Sequence, residues 1–118
     1  MANLFKSVTR AAVPNSAGTA ETIFTQASGT RCVILGLTLS NIHNAQVTAS
    51  VILSSDTTQS NQVANTDAFI IKDAAIPVGS SLSVLDGKMI VNATDIIKVD
   101  CSVADKVSVI MSYMEIDS

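Results

Sequence analysis

Residues 31–41 read RCVILGLTLSN, a run of aliphatic residues broken by small and hydroxyl-bearing ones. A period of two marks a strand, because successive side chains point to opposite faces. On strict alternation Val33, Leu35, Leu37 and Leu39 share one face, and Cys32, Ile34, Gly36, Thr38 and Ser40 share the other. Gly36 in mid-run predicts either a bulge or a close approach by another backbone.

The same period recurs on both sides. Residues 4–10 form a first strand closed by Pro14 and the loop NSAGT, and ETIFTQ (21–26) a second that turns at Ser28-Gly29. Residues 46–53 run back from the long strand, with Val47, Ala49, Val51 and Leu53 inward and Thr48 and Ser50 outward. SSDTTQSNQVAN (54–65) is one long polar loop, read as a plain surface loop or a contact-making one. Strands follow at 68–72, 95–101 and 107–116. Between them AAIPVGSSLSVLDGKMIV (74–91) carries a Pro-x-Gly and an Asp-Gly turn signal. LSVL and KMIV about Asp86-Gly87 predict a tight type I′ hairpin that lets Ile76, Leu82, Val84 and Ile90 pack. Residues 11–22 leave room for a turn of helix, but nowhere does helical spacing persist. The expected class is all-β, an antiparallel β-sandwich or jelly-roll-like barrel of about eight short strands. Residues 1–12 are an N-terminal arm or first strand, and 13–118 a single β-sandwich domain.

Apolar residues make up 47% of the 118 and charged ones only 14%, below the usual quarter. Ser and Thr number 26, so the polar surface is hydroxyl-rich, and Phe5, Phe24, Phe69 and Tyr113 are the only aromatics. So few charges suit a chain in permanent contact with other chains better than a free monomer. The net charge of −3 argues against nucleic-acid binding, and no apolar run approaches a membrane span. MANLFKSVTR has no secretory h-region, and Ala2 excludes N-myristoylation, so a cytosolic origin is expected. Cys32 and Cys101 have no Trp between them and Val99 where a tyrosine corner would stand, which disfavours an immunoglobulin bridge and favours reduced thiols.

Chemistry is sparse. His43, in the turn NIHNA, is the one imidazole, and the acids are scattered singly without a calcium-loop spacing. No phosphate-cradling or nucleophile-elbow motif is present. No enzyme, metal site or cofactor is expected. The candidate residues are interfacial: Leu4, Phe5 and Lys6 on the N-terminal segment; Asp56, Gln59 and Asn61 in the polar loop; and Ile110, Met114 and Ile116. The last three interrupt the polar face of a final strand whose other face is Val107, Val109, Met111 and Tyr113.

The order TAETIFT (19–25), CVILGLTLSN (32–41), FIIKDAAIPVGSSLSVLDGK (69–88), DIIKV (95–99) and VSVIMSYMEI (107–116) resembles short virion structural proteins of tailed bacteriophages, especially cyanophages and their marine relatives. One departure falls at Asn92-Ala93-Thr94-Asp95, where the family pattern has a glycine before the acid. The resemblance implies a non-catalytic β-domain assembled on a virion and made in the bacterial host cytoplasm. A capsid decoration or cement protein fits best. Its partners would be other virion proteins, the major capsid protein or neck and tail subunits, and further copies of itself as a homo-oligomer. A neck, collar or tail accessory protein is the alternative, and a receptor- or sugar-binding module at a fibre tip a further one.

Overall fold

The structure is a computed structural model that describes residues 3–85 and 87–117. Ala2 and Asp86, which entered the sequence reading, lie outside the described residues. Among the described residues nine strands follow in order: β1 (Asn3–Val13), β2 (Glu21–Thr25), β3 (Thr30–Asn41), β4 (Val47–Ser54), β5 (Ala68–Ile76), β6 (Ser81–Ser83), β7 (Met89–Val91), β8 (Ile96–Cys101) and β9 (Val107–Asp117). One sheet runs β1-β9-β3-β6, with β7 also on β3; the other runs β2-β8-β4-β5. Every pairing is antiparallel, so the chain is an all-β sandwich of two sheets.

The core lies between the sheets. Ile34, Leu37, Leu39 and Met111 from one sheet meet Val51, Ile76, Ile97 and Val99 from the other, all fully buried. Phe24 of β2 and Tyr113 of β9 bridge the layers with ring centroids 4.9 Å apart and planes tilted by 54°. That tilted geometry suits the ring quadrupoles. The inward face predicted for β4 is observed, with Val47, Ala49 and Val51 buried and Leu53 partly buried against the core, and the apolar face of β9 turns inward with Val107, Val109, Met111 and Tyr113 buried.

Four expectations change. First, β3 is bulged: Ile34 pairs with Tyr113 and Gly36 with Ser112, so Leu35 is an extra residue. The inward set is therefore Cys32 and Ile34 before the bulge and Leu37 and Leu39 after it, while Leu35 is exposed. Strict alternation had put Val33 and Leu35 on the same face as Leu37 and Leu39. A Cβ on Gly36 would meet nothing within 4 Å, so of the two readings of Gly36 the bulge is right and the close approach is wrong.

Second, LSVL and KMIV do not pair with each other. β6 lies along residues 38–40 of β3 and β7 along residues 32–34, as two pieces of one interrupted strand. The reason is the length of β3. Its open edge binds both pieces and turns Leu82 inward beside Leu39 and Val91 inward beside Cys32, where a local hairpin would leave that edge bare. Ile90 consequently faces outward, half exposed, opposite Val33.

Third, residues 11–22 hold no helix: β1 continues to Val13, a cis Val13–Pro14 bond follows, and Ser16 and Thr19 form an isolated bridge. Fourth, Ser50 is buried rather than outward-exposed, because Asp73 of β5 closes over it; Asp73 N donates to Ser50 Oγ at 2.8 Å.

Candidate functional site

Register decides which exposed side chains belong together, since directly opposed residues of antiparallel strands share a face. Phe5 of β1 pairs with Met114 of β9, Met114 with Val33 of β3, and Val33 with Ile90 of β7. The four side chains form one apolar row straight across the outer face of the β1-β9-β3 sheet. Phe5 is 77% exposed and Ile90 50%. Ile116 lies one row toward one end. Ile110, 54% exposed, lies two rows the other way between Thr9 and Thr38.

Around the row the face is Asn3, Ser7, Thr9, Thr38, Ser40, Ser81, Ser83, Ser108 and Ser112, with Arg31 its only formally charged strand position among the described residues. The outer face of the other sheet is different in kind. It carries Lys98 and Asp100 on β8, and Lys72 with its ammonium 5.0 Å from the centre of the Phe69 ring. One face is built for water and the other is nearly free of ionic solvation, which is the composition expected where a protein surface is covered. Four strands about 4.8 Å apart and about ten residues at about 3.3 Å rise give this face a footprint of roughly 600–700 Å². A standard stable contact buries roughly 800 Å² per partner.

Of the residues singled out in sequence, Phe5, Ile110, Met114 and Ile116 come together on this face. Leu4 and Lys6 point the other way. Leu4, 48% exposed, overhangs the end of the sandwich, and Lys6 Nζ donates to Glu115 Oε1 at 2.9 Å. That bond holds the Glu115 carboxyl below the usual carboxylate range, against a smaller opposing effect of desolvation. Asp56, Gln59 and Asn61 lie elsewhere, in the β4–β5 loop. Sequence reading missed Val33 and Ile90. The bulge and the capture of β7 by β3 had hidden their true faces.

The β4–β5 loop is pinned at its base rather than loose. Ser55 Oγ donates to the buried Asp95 Oδ1 at 2.7 Å, and Asn65 Nδ2 donates to Ser55 Oγ and Thr57 Oγ1 at 3.2 and 3.1 Å. Asp67 Oδ1 accepts from Ser54 Oγ and Ser55 N. Asp95 also shapes its own turn, its Oδ2 accepting from Asn92 N at 3.0 Å. Beside this plug lies a surface pocket of about 290 Å³ lined by Ser54, Ser55, Asp56, Asp67, Thr94 and Ile96.

The titratable and nucleophilic groups are built into the framework. Asn41 Oδ1 accepts from His43 N at 2.7 Å, and Asn41 Nδ2 donates to Ala45 O and Ile76 O, which fixes the turn that carries the imidazole. Both cysteines are free and buried, Cys32 opposite Glu115 and Val91 in one sheet and Cys101 opposite Ala49 in the other. Burial, reinforced by the Glu115 and Asp95 carboxylates, pushes the Cys32 thiol up to about 11, and burial likewise raises the Tyr113 phenol. A thiol so raised is the protonated, unreactive form at neutral pH. Among the described residues no three His, Cys, Asp or Glu side chains converge as metal ligands.

No family model and no curated protein matches the chain. Several solved chains are similar, among them the following two. One is a chain from Bacillus endospore appendages, a family of disulfide-linked pili, at 13% identity and a TM-score of 0.48, covering 98% of this chain and 87% of that one. The other is a chain of infectious bursal disease virus, Gt strain, at 10% identity and a TM-score of 0.40, covering 98% of this chain and 33% of that one. The chain thus spans about a third of the length of the viral one.

Proposed function

We propose that the chain is a non-enzymatic structural protein of a tailed-phage virion, a decoration or cement protein. It binds the assembled shell through the outer face of the β1-β9-β3 sheet. The observation that carries this is the Phe5-Met114-Val33-Ile90 row set in a face whose described strand positions carry one formal charge, opposite a sheet that keeps its charges. The resemblance of residues 19–116 to tailed-phage virion proteins supplies the class of particle. Burial of the row against an already assembled lattice supplies the affinity. At about 25 cal/mol per Å² of apolar surface, even a few hundred Å² outweighs the loss of the few side-chain freedoms on rigid strands. The partner is the major capsid protein, and the place of action is the virion.

The test uses shells purified from the phage that encodes the chain. Ile90→Lys and Ile110→Lys change half-exposed side chains, so the fold should survive, as circular dichroism will verify. Co-sedimentation of each variant with the shells should fall at least tenfold, about 1.4 kcal/mol. Unchanged binding, or density-gradient-purified particles that lack the chain, overturns the reading.

A further inference from the structure

The sandwich has four sheet edges, and three are blunted. β2 is five residues long, has a register shift between Thr22 and Phe24, and has Arg10 Nη1 donating across it to Thr22 O. β5 shifts register twice against β4 and carries Asp73 at φ +50°. The β6/β7 edge is interrupted between Ser83 and Met89. β1 is the exception. Against β9 it runs in unbroken register from Asn3 to Arg10, with no proline and no bulge until the Arg10–Val13 step. Among the described residues β9 is its only ladder partner. Natural sheets rarely leave a long, flat edge open, because every second residue presents an N–H and a C=O to the outside. On this edge Leu4 and Phe5 are exposed on opposite faces of the same strand.

We infer that this edge pairs with the β1 edge of a second copy of the chain, antiparallel about a two-fold axis, to make one sheet continuous across two molecules. A second copy is the occupant that the charges allow and the geometry completes. Opposed residues must share a face, so the axis passes through a residue, not between two. Centring on Lys6 sets Lys6 against itself, and centring on Val8 sets Lys6 against Arg10; both place like charges directly opposite. Centring on Phe5 uses only five residues of the described strand, and centring on Thr9 runs its pairing through the irregular step between Arg10 and Val13. Centring on Ser7 pairs nine residues, 3–11, and sets Lys6 beside Val8 and Leu4 beside Arg10. It also sets Phe5 beside Thr9, whose own partner on β9 is Ile110. The apolar surface of the outer face then continues across the junction. The cations on the inward side do not oppose it: Lys6 is held by Glu115 at 2.9 Å and Arg10 by Glu21.

Nine residues of paired edge bury only roughly 300 Å² per copy, from a run of about 30 Å by about 10 Å, so the contact belongs to the weak class. It gains its force where copies stand side by side on a common surface at high effective concentration.

The register makes the test sharp. Ser7 is exposed and faces Ser112, so Ser7→Cys is conservative, and the native thiols are buried. Opposed Cα atoms in an antiparallel pair lie about 4.5–5.5 Å apart, within disulfide range. The full-length chain at several hundred micromolar, under a glutathione redox buffer, should give a covalent dimer with Ser7→Cys. Yield with Phe5→Cys or Thr9→Cys should be at least tenfold lower. No dimer with Ser7→Cys, or equal dimer at positions 5, 7 and 9, overturns the inference. Ile90→Lys in the Ser7→Cys background should leave cross-linking intact while removing shell binding. A chain that binds shells but never cross-links at position 7 refutes the edge pairing and leaves the proposed function standing; the converse result refutes the function alone.

Discussion

Leu35 is the one residue of β3 that the ladder does not count, and its removal should therefore be tolerated. With Leu35 deleted, Cys32, Ile34, Leu37 and Leu39 fall into strict alternation, and all four keep their inward faces. What is lost is one side chain 41% exposed to water. The expected cost is within about 1 kcal/mol, the range of surface changes that touch no core group. Deleting Thr38 is the control, because it breaks alternation between two buried leucines. With the first half of β3 held, Leu39 turns outward, Ser40 inward, and Asn41 leaves its bonds to Ala45 O and Ile76 O. Exposing a fully buried leucine costs about 1.5–3 kcal/mol. Burying an unpartnered hydroxyl costs about 1–3 kcal/mol more. The two lost hydrogen bonds add about 0.5–1.5 kcal/mol each. The total of about 4–9 kcal/mol rivals the whole stability of a domain, about 5–15 kcal/mol. Urea unfolding followed by far-UV circular dichroism and Tyr113 fluorescence reads the difference. With a slope of about 1–3 kcal/mol/M, loss of Leu35 moves the midpoint by no more than about 1 M, while the Thr38 deletion leaves little folded protein. If the Leu35 deletion falls as far as the Thr38 deletion, the bulge is not a spare residue and the face assignment of β3 is wrong.

Two further outcomes follow from single residues. Thr94 has φ +70°, a left-handed conformation that a β-branched residue adopts only under strain. Relief of about 1–2 kcal/mol, less the entropy cost of glycine, makes Thr94→Gly stabilising by about 0.5–1 kcal/mol in the same urea assay; a destabilised variant contradicts the strain. Glu115 has its pKa lowered by the Lys6 hydrogen bond, so the bond's contribution is complete above the unfolded carboxyl's pKa near about 4.3. It disappears as pH falls through the lowered folded value. Stability measured from pH 7 to pH 2 should separate wild type from Glu115→Gln above about pH 5 and bring the two together in acid; a gap that persists in acid rules out the ionic account.

The strands were legible because their signal is local. Alternation over five to twelve residues, bounded by Pro, Gly, Asn and Ser, marks where a strand runs without reference to its neighbours, and β2, β3, β4, β8 and β9 lie close to where the period placed them. Inward faces were legible where the alternation is unbroken, as in β4 and β9. They failed in β3, although Gly36 had marked the bulge, because one extra residue reverses the parity of everything before it relative to everything after. At residues 92–95 the position before the acid is the one with positive φ, a backbone that glycine adopts without steric strain and where this chain places Thr94.

Pairing was not legible, and the candidate surface depends entirely on pairing. Asp-Gly between LSVL and KMIV is a strong local hairpin signal, yet local turn chemistry competes with a twelve-residue strand that has an edge to fill. Pairing with β3 satisfies the backbone of both pieces and buries Leu82 and Val91 as well, so the tertiary choice wins on apolar area. That choice sends Ile90 outward. Phe5, Val33, Ile90 and Met114 are separated by 28, 57 and 24 residues in the chain, and no window of sequence holds two of them. Each alone is an ordinary exposed or half-buried apolar residue of the kind every surface carries. Only the three ladders β1–β9, β9–β3 and β3–β7 align them, and a row that needs three separate registers to agree is a stronger sign of a contact surface than any one of its members.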